Sequence, residues 1–497
     1  MKKIRVLLTL LLALIGQQAG AQFYLNGEDP GGLRWRSIET PTYRLIYPEG
    51  IDSLAREYAR IMEMTAPAVG RSAGVRPGGW QWGGKTAVIL HNQLAVSNAT
   101  VVWAPKRLEI YTNLQAYEVD PLPWITNLAL HEQRHISQMQ MGYKGVHRVL
   151  SYILGEMWPG ACAGIYAHNS WLEGDAVIAE TALSRSGRGR TADFLNYYMM
   201  SFDQGKWRKL GSWKAGSERF DFPDHYALGY LFYSGVRTFY GEAMVSARYI
   251  ELAGKRPFGL ISNKRGTIRD ITGKTPGKIF PDIARKTYDI WAENARVRAP
   301  YTPSDTLTGP HWFDTDYHHP LILEDGVYVT KHDKSRTPTL IRIDSTGRER
   351  FIGFSASSAS CLHPSHDGKR IWWSETVSDA RWTLASYSII RYRDIIRKNG
   401  PVIEGKSAAA NGPLKLGPAR DLTHKTRFYN PCPSHDGLHL AATEHLTNGR
   451  TAIVILSTED GSVCQRIMAP DSLQVVDATW LEDQLFASGI STDGFGI

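Results

Sequence analysis

The stretch PWITNLALHEQRHISQMQM (Pro123–Met141) carries His131, Glu132 and His135 in the order His-Glu-x-x-His. A helix places residues i and i+4 on one face, so His131 and His135 can offer two imidazoles to one ion. Glu132 sits beside them around the helix, within reach of a water held by that ion. Trp124, Leu128, His131 and His135 form one stripe, so the ligand face is also the face expected to be buried. Asp120 and Pro121 precede the segment and predict the helix start. Catalytic zinc needs a third protein ligand and an open position. The site therefore requires a further donor elsewhere in the chain.

Downstream, HNSWLEGDAVIAET (His168–Thr181) contains Trp-Leu-Glu-Gly. This segment resembles the Trp-x-x-Glu-Gly segment of the gluzincins, which include the aminopeptidase-N-like enzymes of the MA clan. The resemblance implies that Glu173, 38 residues after His135, is the third ligand to one Zn2+ per chain, with Asp175 as the competing candidate. Glu180, at i+7 from Glu173, falls on the same helical face and suits an acceptor behind a ligand histidine. The run HYALGYLFYSGVRTFYGEA (His225–Ala243) resembles the Tyr-x-x-Gly helix of the same family. That likeness implies that Tyr226 donates to the oxyanion, with His225 beside it as a weaker candidate; an aromatic core stripe of Tyr226, Tyr230 and Tyr233 is the rival reading. By the family mechanism, zinc lowers the pKa of its water to about 7, Glu132 takes the proton, and the hydroxide attacks a peptide carbonyl. Arg134 faces away from the ligand stripe and reads as a surface or salt-bridging residue. His91, His147 and His168 lack partners at ligand spacing and read as structural.

Elements must position these residues. Thr40–Pro48, Lys85–Asn92 and Arg107–Asn113 read as strands, and Ile51, Leu54, Tyr58, Ile61, Met62 and Thr65 recur at helical spacing between the first two. Ser97–Thr112 supplies a strand just before the His-Glu-x-x-His helix; in gluzincins such an edge strand binds substrate backbone. From Pro121 to about Val297 the pattern is mainly helical, and a sheet followed by helices is the α+β arrangement; the gluzincin resemblance implies that it is a zincin-type metallopeptidase domain over 22–297. A proline-rich linker over 298–310 follows. Beyond it, PSHDG recurs at Pro364 and Pro433, each copy followed by alternating strand residues. Weaker copies surround Asp325 and Asp483. The four turn aspartates are spaced 42, 69 and 47 residues apart, and a Gly/Pro/Ala/Lys-rich insertion expected to loop out explains the long middle interval. These repeats resemble the blades of TolB-like propellers, whose turns read Pro-Ser-x-Asp-Gly. The resemblance implies an all-β propeller-like domain over 311–497 with about four blades, the last incomplete, and hence a truncated sequence. An antiparallel sandwich is the alternative.

Lys2, Lys3 and Arg5, an apolar run to Ile15 and Ala19-Gly20-Ala21 predict a secretory signal peptide over 1–21. The net charge is +8, three of these charges lie in that leader, and the remaining lysines and arginines are scattered, so no nucleic-acid footprint is expected. No later run is long and apolar enough for a membrane span. Four cysteines are too few for a disulfide scaffold and read as small buried thiols. The sequence thus predicts an exported, periplasmic or extracellular zinc metallopeptidase acting on a peptide or protein substrate, with a propeller suited to a protein partner. The alternative is a cell-envelope interaction scaffold whose zinc domain is structural or inactive. A non-peptide amide or ester would use the same chemistry.

Overall fold

The computed structural model describes residues 29–78, 84–117, 119–120, 122–217, 222–254, 263–297, 302–356, 359–378, 386–396, 414–491 and 493–497. The predicted leader over 1–21 and the start of the linker lie outside the described residues, as does most of the blade insertion.

The N-terminal part is built on a five-stranded mixed sheet of β1 (Trp35–Glu39), β2 (Tyr43–Pro48), β3 (Thr86–His91), β4 (Ser97–Trp103) and β5 (Lys106–Thr112). The strand order is β1-β2-β3-β5-β4; β2, β3 and β5 run parallel, and the outer pairs are antiparallel. A parallel pair needs a crossover, and α1 (Asp52–Ser72) supplies it between β2 and β3. Its periodic face buries Leu54, Tyr58, Ile61 and Met62 against Leu45, Val88, Leu108 and Ile110 of the sheet. β4 is left at the sheet's edge.

Ten helices follow among the described residues: α2 (Trp124–Gln138), α3 (Val146–Leu154), α4 (Met157–Tyr166), α5 (Asn169–Ala182), α6 (Asn196–Asp203), α7 (Leu210–Ala215), α8 (His225–Phe239), α9 (Val245–Gly254), α10 (Asn263–Thr272) and α11 (Pro276–Val297). Trp124 and Leu128 join α2 to the sheet's core. α5 and α8 cross at the centre of a second core, where Trp171, Leu228, Leu231 and Phe232 meet Tyr249 and Phe280.

The C-terminal part contains four successive antiparallel sheets, meanders in chain order except that the last strand of the second pairs with its third strand. The first comprises β6 (Thr315–Leu323), β7 (Gly326–Asp333), β8 (Arg336–Ile343) and β9 (Glu349–Phe354). The second comprises β10 (His363–Pro364), β11 (Arg370–Ser378), β12 (Ser386–Ile396), β13 (Lys415–Leu416) and β14 (Arg420–Asp421). The third comprises β15 (Phe428–Pro433), β16 (His439–His445), β17 (Thr451–Ser457) and β18 (Val463–Met468); β19 (Gln474–Leu481), β20 (Gln484–Ser491) and β21 (Gly494–Gly496) form the last. Each sheet packs on the next: Leu321 and Tyr328 meet Ile371 and Ile395, Trp372 and Ile390 meet Leu440 and Val454, and Ala441 and Ile453 meet Val475 and Ala478. A sandwich would pair two sheets and stop, whereas this serial face-to-face stacking is a β-propeller arrangement of four blades.

All four turn aspartates fall in the first hairpin of a blade. The two PSHDG copies share one geometry. Ser365 Oγ donates to Asp367 Oδ1 (2.7 Å) and accepts from the Arg370 N–H (2.9 Å). Ser434 Oγ repeats this with Asp436 (2.6 Å) and the His439 N–H (3.0 Å). Gly368 and Gly437 follow at φ +63° and +72°, a conformation glycine adopts without strain. Within the expected insertion, Leu414 is buried and Lys415–Leu416 pairs with β12, so its C-terminal end belongs to the blade.

The blades contact the N-terminal part through polar groups. Asn113 Nδ2 donates to the Tyr429 hydroxyl (3.2 Å), Asn430 Nδ2 to Ala116 O (2.9 Å) and Arg427 Nη2 to Asn92 O (2.7 Å). His445 lies buried at this seam, its ring 4.4 Å from that of Tyr429. Burial and the neighbouring Arg427 push its pKa down from 6.5 to about 3. Below about 6.5 the unfolded chain binds a proton that the folded chain refuses, so this histidine costs stability as pH falls. Between pH 7 and pH 5 the loss amounts to about 2 kcal/mol. Denaturant titrations of wild type and His445→Gln should show the variant's acid limb flattened by that amount; parallel limbs would refute the assignment.

All four cysteines are free: Cys162 and Cys432 are buried as expected, whereas Cys361 and Cys464 are exposed.

Candidate metal centre

α2 begins after Pro123, whose extended backbone ends the preceding loop. Asp120 does not cap the helix directly; its Oδ2 accepts from Asn127 Nδ2 (2.6 Å), tying the first turns to the loop. Pro121 lies outside the described residues. The helix presents His131 and His135 to a cleft of about 540 Å3, with Trp124 and Leu128 on the same stripe. β4 forms the opposite wall through Ser97–Val101 and Trp103.

Glu173 reaches the cleft from α5. Its Oε2 lies 3.3 Å from His131 Nε2 and 3.2 Å from His135 Nε2, and the two Nε2 atoms are 3.2 Å apart. Donors at about 2.0–2.1 Å from a tetrahedral zinc stand about 3.3–3.4 Å from one another. The three atoms therefore outline one face of such a tetrahedron and leave the fourth vertex toward the cleft. Among the described residues this is the group of three whose donor atoms lie mutually within 4.8 Å.

A hydrogen bond behind the cluster selects the tautomer of His135. Gln138 Nε2 donates to Leu172 O (2.9 Å) and Asp175 Oδ2 (3.0 Å), so its Oε1 faces His135 Nδ1 (2.9 Å) as an acceptor. His135 thus carries its proton on Nδ1 and turns the Nε2 lone pair inward. Glu180, fully buried, lies 3.3 Å from His131 Nδ1 and is the carboxylate behind that ring. Arg188 braces Glu180 through Nε (2.8 Å) and Nη2 (3.2 Å). Its Nη2 also lies 3.0 Å from His131 Nδ1, to which it donates, so Arg188 and Glu180 both stand behind that ring.

The charges fit the geometry. Burial alone would raise the Glu173 pKa, but the two imidazoles override it and hold the carboxylate well below its usual range. Burial would lower His135, but Glu173 overrides that and lifts it to about 9, so without a cation in the cluster the ring pairs with Glu173 as an imidazolium, and a metal ion would have to displace the Nε2 proton to use that lone pair. Glu132 borders the cleft, and burial pushes its carboxyl pKa up.

Tyr226 stands at the start of α8, where Asp224 Oδ1 accepts from the Tyr226 and Ala227 N–H groups (both 3.0 Å). Its ring stacks on His131 at 6.1 Å, and Arg188 lies 5.2 Å over its face. Burial and then Glu173 raise the phenol pKa, keeping it a neutral donor. His225 is exposed, 4.8 Å from the Tyr226 ring, and does not line the cleft. Tyr230 leaves the site too: it packs its ring over Gly189.

Asp175 is not brought to the cluster. It pairs with Arg134 Nε (3.6 Å) and accepts from Ser246 Oγ (2.8 Å) and Gln138, one step removed from His135. Arg134 is salt-bridging but not superficial: it is 1% exposed and donates to Ser72 Oγ (2.7 Å). His91 pairs with Asp29 (2.6 Å) and His147 accepts from Trp158 Nε1 (3.2 Å), structural roles as expected. His168 precedes α5 in extended backbone.

Sequence reasoning missed Gln138 and Arg188. Gln138 was readable as the i+3 neighbour of His135. Arg188 carries no spacing signal; Gly187, at φ +96° and packed on Thr181, turns the chain so that Arg188 folds back on the end of α5. Removing the charge behind His131 tests this layer. Glu180→Gln keeps the shape but weakens acceptance, and zinc affinity should fall about 10–100-fold in a chelator competition titration. Unchanged affinity would reduce Glu180 to a counter-ion for Arg188.

No protein-family model matches this chain, and no curated protein matches it. Solved structures match 34–36% of this chain. TolB from Acinetobacter baumannii aligns at 17% identity over 34% of this chain and 39% of its own, with a TM-score of 0.20. The β-propeller domain of the Trilobed protease from Pyrococcus furiosus aligns at 16% identity over 35% and 48%, with a TM-score of 0.23. The β-propeller domain of Myceliophteria thermophila Cps50 (Swd1) aligns at 15% identity over 36% and 52%, with a TM-score of 0.25. The chain thus spans between 39% and 52% of these proteins. The propeller assignment rests on the stacked blades themselves. No helix among the described residues is long and apolar enough to cross a membrane.

Proposed function

We propose that this chain is an exported, periplasmic or extracellular zinc metallopeptidase of the gluzincin type, with His131, His135 and Glu173 as ligands. The observation carrying this reading is the triangle of donor atoms, with edges of 3.2–3.3 Å, facing an open cleft. Bound there, zinc supplies Lewis acidity that brings a coordinated water's pKa down to about 7. Glu132, buried with a raised pKa, takes the proton of the attacking water and returns it to the leaving amine. Tyr226 stays protonated and donates to the peptide oxygen as it gains charge. β4 offers its free edge to an extended substrate, and the blades are suited to hold a protein partner or restrict access.

Elemental analysis of the purified chain tests this first. Wild type should hold about one zinc, with His131→Ala and Glu173→Gln each losing or loosening it, because tetrahedral zinc sites depend on every ligand. No zinc after reconstitution would remove the mechanism.

A further inference from the structure

We propose that α3 is an in-plane anchor that docks the protein on an anionic phospholipid bilayer. Val146, Val149, Tyr152, Ile153 and Leu154 of α3, with Met157 at the start of α4, all reach solvent; Val149 is 56% exposed and Ile153 71%. Val146, Val149 and Ile153 fall at i, i+3 and i+7, one helical stripe. A helix on a globular surface turns such a stripe to the core, but α3 is inverted. Its buried residues are His147 and Ser151. His147 Nδ1 accepts from Trp158 Nε1 (3.2 Å), and Ser151 Oγ donates to Arg148 O (2.7 Å). The polar face therefore holds α3 on the protein, and the apolar face is turned outward. A contiguous exposed apolar face marks a surface that meets a partner.

Size and charge select the partner. Between Gly145 (φ +54°) and Gly155 (φ +64°) the helix has nine residues, so its outer face measures about 14 Å by 10 Å. That is too short to span a bilayer and far below the roughly 800 Å2 per partner that a stable protein interface takes, a second copy of this chain included. An interfacial helix needs only to sink its apolar face into the headgroup boundary. Lys144, just before the helix, and Arg148, exposed on it, are placed for lipid phosphates, and the exposed Tyr152 suits the headgroup level. The one carboxylate of residues 142–159, Glu156, is held away from that face: it accepts from the Lys106 N–H (2.6 Å) on the sheet.

Protein purified from the exported fraction, without the predicted leader, would be co-sedimented with vesicles of equal parts phosphatidylglycerol and phosphatidylethanolamine, and with phosphatidylcholine alone. Wild type should bind the anionic vesicles about 25-fold more tightly, about fivefold for each cation near the surface. Lys144→Gln/Arg148→Gln should remove that difference. Val149→Ser/Ile153→Ser should weaken binding to both vesicle types by about tenfold or more, with zinc content and unfolding midpoint kept because both side chains are exposed. No vesicle binding by wild type, or undiminished binding by the serine variant, would overturn the anchor and leave the peptidase reading standing. Wild type that ignores vesicles but self-associates in light scattering, with the serine variant monomeric, would overturn it in favour of a second copy. A serine variant that unfolds early would be replaced by Ile153→Glu, for which undiminished binding refutes the anchor equally.

Discussion

Gly229→Ala should abolish zinc binding at the proposed metal centre without altering a proposed ligand. At the crossing of α5 and α8, a Cβ on Gly229 would stand 1.7 Å from Ser170 O and 2.8 Å from Gly174 Cα; one on Gly174 would stand 2.2 Å from the Gly229 carbonyl carbon. Both partners are backbone, so no rotamer change relieves the clash and the helices must separate. Glu173 adjoins one glycine and Tyr226 lies one turn from the other, so separation withdraws a ligand and the phenol together. Overpacking of this kind costs about 1–3 kcal/mol, occasionally more. The expected result is a lowered unfolding midpoint and zinc well below one per chain. Gly211→Ala, in α7 with nothing within 4 Å of the added carbon, is the matched control and should be neutral or stabilising. Full zinc and a wild-type midpoint in Gly229→Ala would show that the crossing does not position the site.

The same contact explains why so much of the site was legible. Glu173-Gly174 and Tyr226-x-x-Gly229 read as two separate motifs, yet each glycine is the surface against which the other motif packs. Helical period placed His131 and His135 on one stripe because local geometry decides that, and i+7 put Glu180 behind them for the same reason. The blades were legible through their turns, since Ser-x-Asp-Gly closes a hairpin with its own side chains. What remained hidden depends on tertiary direction. Arg134 is buried because Asp175, Ser72 and Ser246 converge on it from three other elements. Asp175 is drawn away from the His131–His135–Glu173 cluster by that same arginine. His225, next in sequence to Tyr226, projects to solvent because α8 starts there.

Glu132→Gln should abolish peptide hydrolysis while leaving zinc bound. A positioned general base contributes typically about 10²–10⁴-fold, and glutamine keeps the side chain's shape while losing its proton affinity. Zinc should persist because Glu132 is not among the three converging donors. Stability supplies an independent signature. Glu132 is 5% exposed and burial raises its pKa, so keeping it ionised at neutral pH opposes folding. The variant should therefore unfold no earlier than wild type, as expected where a fold tolerates a costly charge for its chemistry. Zinc-replete wild type and Glu132→Gln cleaving a broad peptide library at equal rates would disqualify Glu132 as the base. If neither cleaves, and the blades still retain a specific protein partner, the metal centre is a structural element of a scaffold and the buried carboxylate has no catalytic task.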